Sequence, residues 1–446
     1  MYYIRLLRPP TIDASDPDNP VLSLLLTITT DLGESFLYPN EPIKLLFMAN
    51  SDVVRGLCIA DRFLEAVDAR QPMQWEPGMR VLNAKLRFEK RLVAEKSYVT
   101  IAAVGRSSEK KVLAMRETRE LLPWRVKEGG YKTEGLIADL HVEFGAGGVF
   151  SASVRYLVCQ CKPDEFGAVP LRIEEDIGEN IARHIWDAGL VTAALLADSC
   201  RAKRRGYRAG DFLPLDRDKE NFNILELGCG VGILGIAIAS IIRRVAEQQG
   251  IKSADSSVLL TDLPEAEERA RSNISRFHKG PFWIMPSTRK IDYENLDWEE
   301  GRNSRFGPIV GSKCWDFIVL SDCTYNVDVF PALVGTLASL HALNVTKSEH
   351  EARDSFTTRV LMSTKPRHDS EKALFKLLED DGWSYKLTKA IPLPKINGDT
   401  EVVEVYLIEK KAGSMPTTRK RKGTNTAVVD KPSKRSTSAV SNQETA

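Results

Sequence analysis

The chain lacks most of the features that would mark it as unusual. Neither sign of charge is in excess: 62 Lys+Arg stand against 61 Asp+Glu over 446 residues, a net charge of +1. Proteins that grip phosphate backbones carry a basic surplus, so nucleic acid is not an expected partner. No continuous apolar run approaches the roughly 20 residues that span a bilayer, and no membrane association is expected. The first ten residues, Met1 to Pro10, contain no apolar core followed by a small-residue cleavage site, so no secretory signal is expected. Cysteines are few, odd in number at seven, and never spaced Cys-x-x-Cys. A disulfide framework and a zinc site are therefore both unexpected, and reduced thiols in an intracellular protein follow. Cys159 and Cys161 alternate along one candidate strand and read as packing residues. What remains, 43% hydrophobic and 28% charged residues, is ample for packed cores. The length suggests about two to three domains.

Against this background one stretch stands out, Asn223-Ile-Leu-Glu-Leu-Gly-Cys-Gly-Val-Gly-Ile-Leu-Gly235. An apolar strand enters a glycine-rich turn, and the turn enters an apolar helix. Gly228, Gly230 and Gly232 allow a tight turn whose backbone approaches a ligand, because no Cβ stands in the way. Further on, Val258-Leu-Leu-Thr-Asp-Leu263 reads as a second apolar strand ending in Asp262. A glycine turn plus an acid ending the next strand is how a doubly wound α/β fold holds a ribose-bearing cofactor. The spacing here is G-x-G-x-G-x-x-G, preceded by Glu226, an acid that would repel a diphosphate. It suits a cationic ligand such as the sulfonium and amino groups of S-adenosylmethionine. Two plainer readings stand beside this one: a βαβ turn with no ligand, and Asp262 as an ordinary acid at a helix start.

Residues 1–165 read as a β-rich domain. Candidate strands run over 21–29, 43–47, 80–88, 98–104, 136–144 and 150–158, with a hairpin at Gly145-Ala-Gly-Gly148. A small antiparallel sandwich or barrel is expected, serving either substrate docking or scaffold support. Residues 166–411 form a second domain. Its lead-in, 166–221, is helical in the second half of 181–196 and carries a basic loop at 201–208. Strands are then expected at 223–227, 258–261, about 282–285, 315–320, 358–363, 383–389 and 402–409, with helices near 232–249, 264–278, 328–343 and 368–381. Alternating βα units imply a parallel sheet covered on both faces, about seven strands in all with a closing hairpin. The loop 299–314 reads as a tolerated insertion. Residues 412–446, with seven basic and two acidic residues, read as a disordered tail. Arg419-Lys-Arg-Lys422 and Lys434-Arg435 resemble a bipartite nuclear import signal, so a cytoplasmic or nuclear location is expected.

Trp315-Asp-Phe-Ile-Val-Leu-Ser321 ends in Asp322-Cys-Thr-Tyr325. Ligands of open α/β sheets bind outside the carboxyl ends of the strands, which sets Asp322 and Tyr325 beside the glycine turn. Methyl transfer needs in-line geometry more than acid–base power. A lysine acceptor must lose a proton from a reference pKa of about 10.4, which an apolar slot favours. A carboxylate favours the ammonium, so Asp322 is expected to bind and align the amine more than to deprotonate it. An Asp capping the following turn, with Tyr325 in the core, is the plainer alternative. Trp298 follows Asp297 just after the third strand, where an adenine would lie; Asp297 could accept from its exocyclic amine. Trp186 is a further candidate, and core packing is the alternative for both tryptophans. Asn273 reads as a helix residue reaching a loop backbone, with no catalytic role.

Taken together, Trp186-Asp-Ala-Gly189, Glu226-Leu-Gly-Cys-Gly-Val-Gly232, Thr261-Asp-Leu-Pro264, Leu296-Asp-Trp298 and Asp322-Cys-Thr-Tyr325 resemble the seven-β-strand protein-lysine methyltransferases of the methyltransferase-16 family, marked by Asp-x-x-Tyr. The resemblance covers about 175–410. It implies a Rossmann-like fold, S-adenosylmethionine as donor and a lysine of another protein as acceptor; targets in that family are translation factors, chaperones and related ATPases. It also implies that Glu226, Gly228 and Gly230 bind the methionine part, Asp262 the ribose, that Trp298 flanks the adenine and Trp186 closes the pocket, and that Asp322 and Tyr325 face the substrate. Val231 stands where the family often has Thr. The β-rich region is longer than the family core, so the substrate's identity does not carry over. Two rivals stand beside this reading. Methyltransferases of nucleobases or small molecules often carry Asn/Asp-Pro-Pro-Tyr at this strand end; Cys323 and Thr324 replace both prolines here. The other is a non-catalytic binding module that keeps the fold; the intact Glu226, glycines and Asp262 argue against lost cofactor binding and leave a scaffold role for residues 1–165 open.

Overall fold

The computed structural model describes residues 1–50, 53–54, 57–58, 62–68, 73–88, 97–104, 114–115, 117–128, 135–145, 147–160, 168–178, 181–201, 222–249, 256–279, 290–348, 356–394, 396 and 400–413. The basic loop at 201–208 beyond Arg201, Cys161, the expected strand at 282–285 and nearly all of the tail lie outside the described residues.

The N-terminal part is built from two sheets facing one core. Tyr2–Leu6 pairs antiparallel with Val21–Thr29, which also pairs with Thr11–Asp13 and Leu82–Arg87. The second sheet runs Ala168–Glu175, Phe150–Gln160, Leu140–Phe144, Ser97–Ala103, Ile43–Asn50. Alternation places Leu82, Ala84 and Leu86 inside and their neighbours outside, the period-2 signature of a half-buried strand. Between the sheets lie Ile4, Leu24, Phe47, Trp75, Val99 and Val142. The expected hairpin is present: Gly145 N–H donates to Val149 C=O at 2.8 Å. One strand lies within the expected lead-in. Ala168–Glu175 pairs along its whole length with Phe150–Gln160, which ties the start of the lead-in to the β-rich part.

The second part is a seven-stranded sheet. Its strands are β1 (Asn223–Leu227), β2 (Ser257–Asp262), β3 (Lys290–Asn295), β4 (Phe317–Ser321), β5 (Thr357–Thr364), β6 (Ser384–Pro392) and β7 (Val402–Lys411). The order is 3-2-1-4-5-7-6, with β7 antiparallel to both its neighbours. β1 and β4 are buried on both faces and accordingly read as continuous apolar runs. The described strand beside β2 is 290–295; its sequence, Lys-Ile-Asp-Tyr-Glu-Asn, alternates as an edge strand does, and its burial follows that pattern.

Six helices matter for the site: α1 (Asp187–Arg201), α2 (Ile233–Gln249), α3 (Pro264–Lys279), α4 (Trp298–Gly301), α5 (Phe330–Lys347) and α6 (Ala373–Asp380). Pro264 opens α3, with Glu265 and Glu267 in its first turn and Arg276, His278 and Lys279 in its last, the polarity that the helix dipole favours. By length and composition alone Val327–Lys347 would suffice to cross a membrane, but it is a core helix: half of it is buried, with Leu333, Leu337 and Leu340 packed among β4 and β5 side chains. The stretch 299–314 is not a loose insertion. A Cβ on Gly301 would meet Thr336 at 2.6 Å, and one on Gly307 would meet Glu294 at 2.4 Å. The two parts share one apolar cluster, in which Tyr3, Leu121, Leu136, Leu157 and Ile173 pack with Leu190, Leu196, Ile233 and Ile241.

Candidate functional site

A cavity of about 320 Å³ opens at the carboxyl ends of β1, β2 and β4, a volume suited to a small ligand. Its floor is the turn after β1. Gly228, Gly230 and Gly232 have φ of +64°, +52° and +82°, a region that side chains disfavour. Only the first two line the cavity. At Gly228 a Cβ would also stand 2.6 Å from Cys323 Sγ and 3.4 Å from the Trp298 ring, so the backbone is pressed between β4 and α4. Gly232 points inward instead: its Cβ would meet Leu260 at 2.6 Å. Its glycine is required by packing of the turn on β2, not by a ligand.

Glu226 is the clearest departure from expectation. It does not line the cavity but lies buried beneath the turn, where its Oε2 accepts the Gly235 N–H at 2.9 Å. An orphan N–H of the first turn of α2 is thereby satisfied. Burial pushes this carboxyl up to about 8, against the Gly235 bond, with Asp262 adding to the rise. Direct contact with a methionine part is not what this geometry offers; Glu226 fixes the start of α2 and so the shape of the turn.

Asp262 does line the cavity. Its Oδ2 accepts from Gly230 N–H at 2.7 Å and its Oδ1 from Leu263 N–H at 2.7 Å. Burial raises its pKa against those two bonds. Each oxygen keeps an acceptor site, as a pair of ribose hydroxyls would need. Asp297 caps α4, its Oδ1 accepting from Glu299 N–H at 2.8 Å. That cap uses one oxygen for the backbone, so the expected role toward an adenine amine falls to the other. Trp298, the first residue of α4, turns its ring toward Gly228 and lines the cavity, with its C=O held by Thr336 Oγ1 at 2.9 Å.

The opposite wall holds the residues expected to face substrate. Asp322 has φ of +53°, rare outside glycine but tolerated by Asp. This left-handed residue breaks the run of β4 and brings the carboxylate back toward α1. Its Oδ2 accepts from Ala188 N–H at 2.7 Å and its Oδ1 from Lys365 N–H at 3.3 Å. Burial pushes Asp322 up to about 7, Asp31 adds to the rise, and Arg367 opposes it. Tyr325 is 62% exposed at the rim, not in the core, which removes the packing alternative for it. Trp186 lines the wall under the Arg367 guanidinium, whose carbon lies 5.3 Å from the ring centroid. Cys323 and Cys229 also line the cavity, and burial raises both thiols well above their ordinary value, so neither is poised as a nucleophile.

Sequence reading missed Arg367 and His184, both in the cavity wall, and Gly189, where a Cβ would meet Ser321 Oγ at 3.1 Å. Gly189 was present in the Trp-Asp-Ala-Gly run and only its packing reason was unseen. Arg367 had no local signal: its ion partner, Asp31, is 336 positions away. Asn273 behaves as expected. It is fully buried and ties α3 to the backbone of Glu174 and, at 2.9 Å, to Val231 C=O in the glycine turn.

A sheet of order 3-2-1-4-5-7-6, a glycine turn after its first strand and a cavity above that turn define the class, a Rossmann-like α/β fold with its ligand site at the carboxyl ends of the strands. More particularly, residues 166–381 match the family described as lysine methyltransferase, methyltransferase-16. Among curated proteins the chain is similar to a UPF0665 family protein of Schizosaccharomyces pombe, 26% identical over 53% of this chain and 55% of the relative. It is also similar to EEF1A lysine methyltransferase 3 of Xenopus tropicalis, 25% identical over 39% of this chain and 60% of the relative. The matches thus span little more than half the length of those relatives. Among solved structures, a Streptococcus mutans protein described as a sam-dependent methyltransferase aligns with TM-score 0.32 and 10% identity, over 54% of this chain and 53% of that one.

Proposed function

We propose that this protein transfers a methyl group from S-adenosylmethionine to the lysine side chain of another protein. The observation that carries the reading is the two-walled cavity: Gly228, Gly230, Asp262 and Trp298 on one wall, Asp322 and the exposed Tyr325 on the other. The residues of the first wall fit the donor. Glycine backbone without Cβ atoms can approach it, Asp262 has acceptor sites left for ribose hydroxyls, and the Trp298 ring offers a flat face to a base. When bound, the donor supplies an electrophilic methyl carbon on a sulfonium.

The acceptor wall then has three tasks. A lysine chain extended from a partner's surface enters past Tyr325, whose exposed ring covers its methylenes. Asp322, ionising near neutral pH, holds the incoming amine by a charge-assisted hydrogen bond and fixes its lone pair toward the methyl carbon. The N–C bond forms as the C–S bond breaks, and its electron pair stays on sulfur. The amine proton leaves to solvent or to Asp322. The site holds one donor and one slender chain, which suits an amine on a flexible stem. That the family match carries the description lysine methyltransferase, and that one relative is named for methylating EEF1A, both support a protein acceptor such as a translation factor.

The deciding experiment uses labelled S-adenosylmethionine, the purified full chain and a lysate of its own cells, with protease and nuclease controls. Label in a discrete protease-sensitive band, mapped to lysine, is expected. Label removed by nuclease, or held in small molecules, would replace this reading with a nucleobase or metabolite acceptor.

A further inference from the structure

The N-terminal β unit reaches into the wall of this cavity through one buried carboxylate. Asp31 follows the strand Val21–Thr29 and is 1% exposed. A buried carboxylate persists only if it is paired, and among the described residues its ion-pair partners, Lys365 and Arg367, both come from the methyltransferase part. Asp31 Oδ1 accepts from Lys365 Nζ at 2.5 Å, and Oδ2 accepts from Arg367 Nη2 at 3.0 Å and from Asp187 N–H at 3.3 Å. Lys365 also reaches Asp187 Oδ2 at 2.9 Å and Glu401 Oε2 at 3.4 Å. Although burial pushes Asp31 up, Lys365 and Arg367 outweigh it and hold the group ionised, well below the usual carboxylate range.

These partners are the residues that build the acceptor wall. Arg367 lies over Trp186, and both line the cavity. Among the described residues its guanidinium makes one ion pair, the one to Asp31. Lys365 gives its own N–H to Asp322, and Ala188, next to Asp187, gives the other. One oxygen of Asp322 is thus held by the backbone of Lys365, whose ammonium pairs with Asp31, and the other by the residue after Asp187, whose own N–H Asp31 accepts.

We infer that Asp31, from outside the methyltransferase sheet, is a positioning residue of the transfer site: it holds Arg367 against Trp186 and so shapes the wall between cofactor and acceptor. The inference rests on the transfer reading above. It assigns the β unit a part in the site itself, where sequence left scaffold and docking roles open.

The test compares the full chain with Asp31→Asn, Arg367→Met and the double variant, by calorimetry with S-adenosylhomocysteine, with the melting temperature recorded alongside. Each single change is expected to weaken binding about tenfold, and the double variant to bind no more weakly than Arg367→Met alone, because Asp31 acts through the guanidinium. Wild-type affinity in Asp31→Asn, or losses that add in the double variant, would overturn the inference. Should Asp31→Asn fail to fold, Arg367→Met at the partly exposed wall still decides: unchanged affinity there overturns it as well. Wild-type protein that does not bind S-adenosylhomocysteine at all would instead remove the transfer reading, an outcome distinct from any of these.

Discussion

In the proposed transfer Asp322 is the residue that aligns the acceptor, and its geometry sets the form of the test. Removal of the carboxylate to Ala would also free two backbone N–H groups, from Ala188 and Lys365. Asn keeps an acceptor and tolerates the left-handed backbone. Asp322→Asn is therefore expected to lower transfer by about 100-fold or more while S-adenosylhomocysteine affinity stays within about threefold. In the wild type, transfer should rise with pH through about 7, where Asp322 ionises; the variant should lack that limb. A profile with the same limb in both would detach it from Asp322. Glu226 gives the opposite kind of prediction. Buried beneath the turn, its folded pKa is raised to about 8 from 4.5. Below the lower value both states are protonated and nothing is lost. Between the two the unfolded chain ionises first, so stability falls as pH rises, and the loss saturates above the folded value. Glu226→Gln should escape that fall, on the order of a few kcal/mol, and its melting temperature relative to wild type should climb from pH 5 to 8. Parallel curves would show that the carboxyl is ionised in the folded state. The sequence showed Glu226 as an acid in a cofactor motif; only the fold shows that it points away from the cavity, because strand alternation sets the side but not the depth.

Elements were more legible than contacts. The turn between β1 and α2 could be read directly, since glycines at three alternate positions between an apolar strand and an apolar helix leave few other conformations. The strand at 290–295 was not legible because Lys-Ile-Asp-Tyr-Glu-Asn alternates in an edge pattern, and the apolar run just before it drew the reading. Ala168–Glu175 was missed because its pairing partner, not its own composition, defines it. Long-range ties of this kind have testable consequences. Asn273 on α3 is fully buried, donates to two carbonyls and accepts from Glu174 N–H, binding three elements at once. Asn273→Ala leaves those groups unpaired, at a cost of about 2–3 kcal/mol. One of them, Val231 C=O, belongs to the glycine turn. A lower denaturation midpoint together with weaker S-adenosylhomocysteine binding is expected. Loss of stability with unchanged affinity would show that the turn holds its shape without this strut.

At the scale of the whole molecule the question is whether the methyltransferase part stands alone. The family match begins at 166, and the sequence alone suggested a domain boundary there. The packing argues otherwise. Cutting at 166 leaves Ala168–Glu175 without Phe150–Gln160, an unpaired strand with its backbone groups exposed. It uncovers α1 and α2 side chains such as Leu190, Leu196 and Ile241, which share a core with Tyr3, Leu121 and Leu157. It also leaves Lys365, Arg367 and Asp187 without Asp31, and Glu175 without Arg155, a pair buried at 2.5 Å. Breaking one such buried pair by removing a partner costs about 3–5 kcal/mol, and a domain is stable by only about 5–15 kcal/mol. A chain starting at 166 is therefore expected to be insoluble or to unfold without a cooperative transition, as read by calorimetry and by dispersion of amide resonances. Addition of the separately produced 1–165 should not restore it, because the cut separates two strands paired along their whole length and each half is left with an unpaired edge. A truncated chain that melts cooperatively and binds S-adenosylhomocysteine like the full protein would show that the shared core is dispensable.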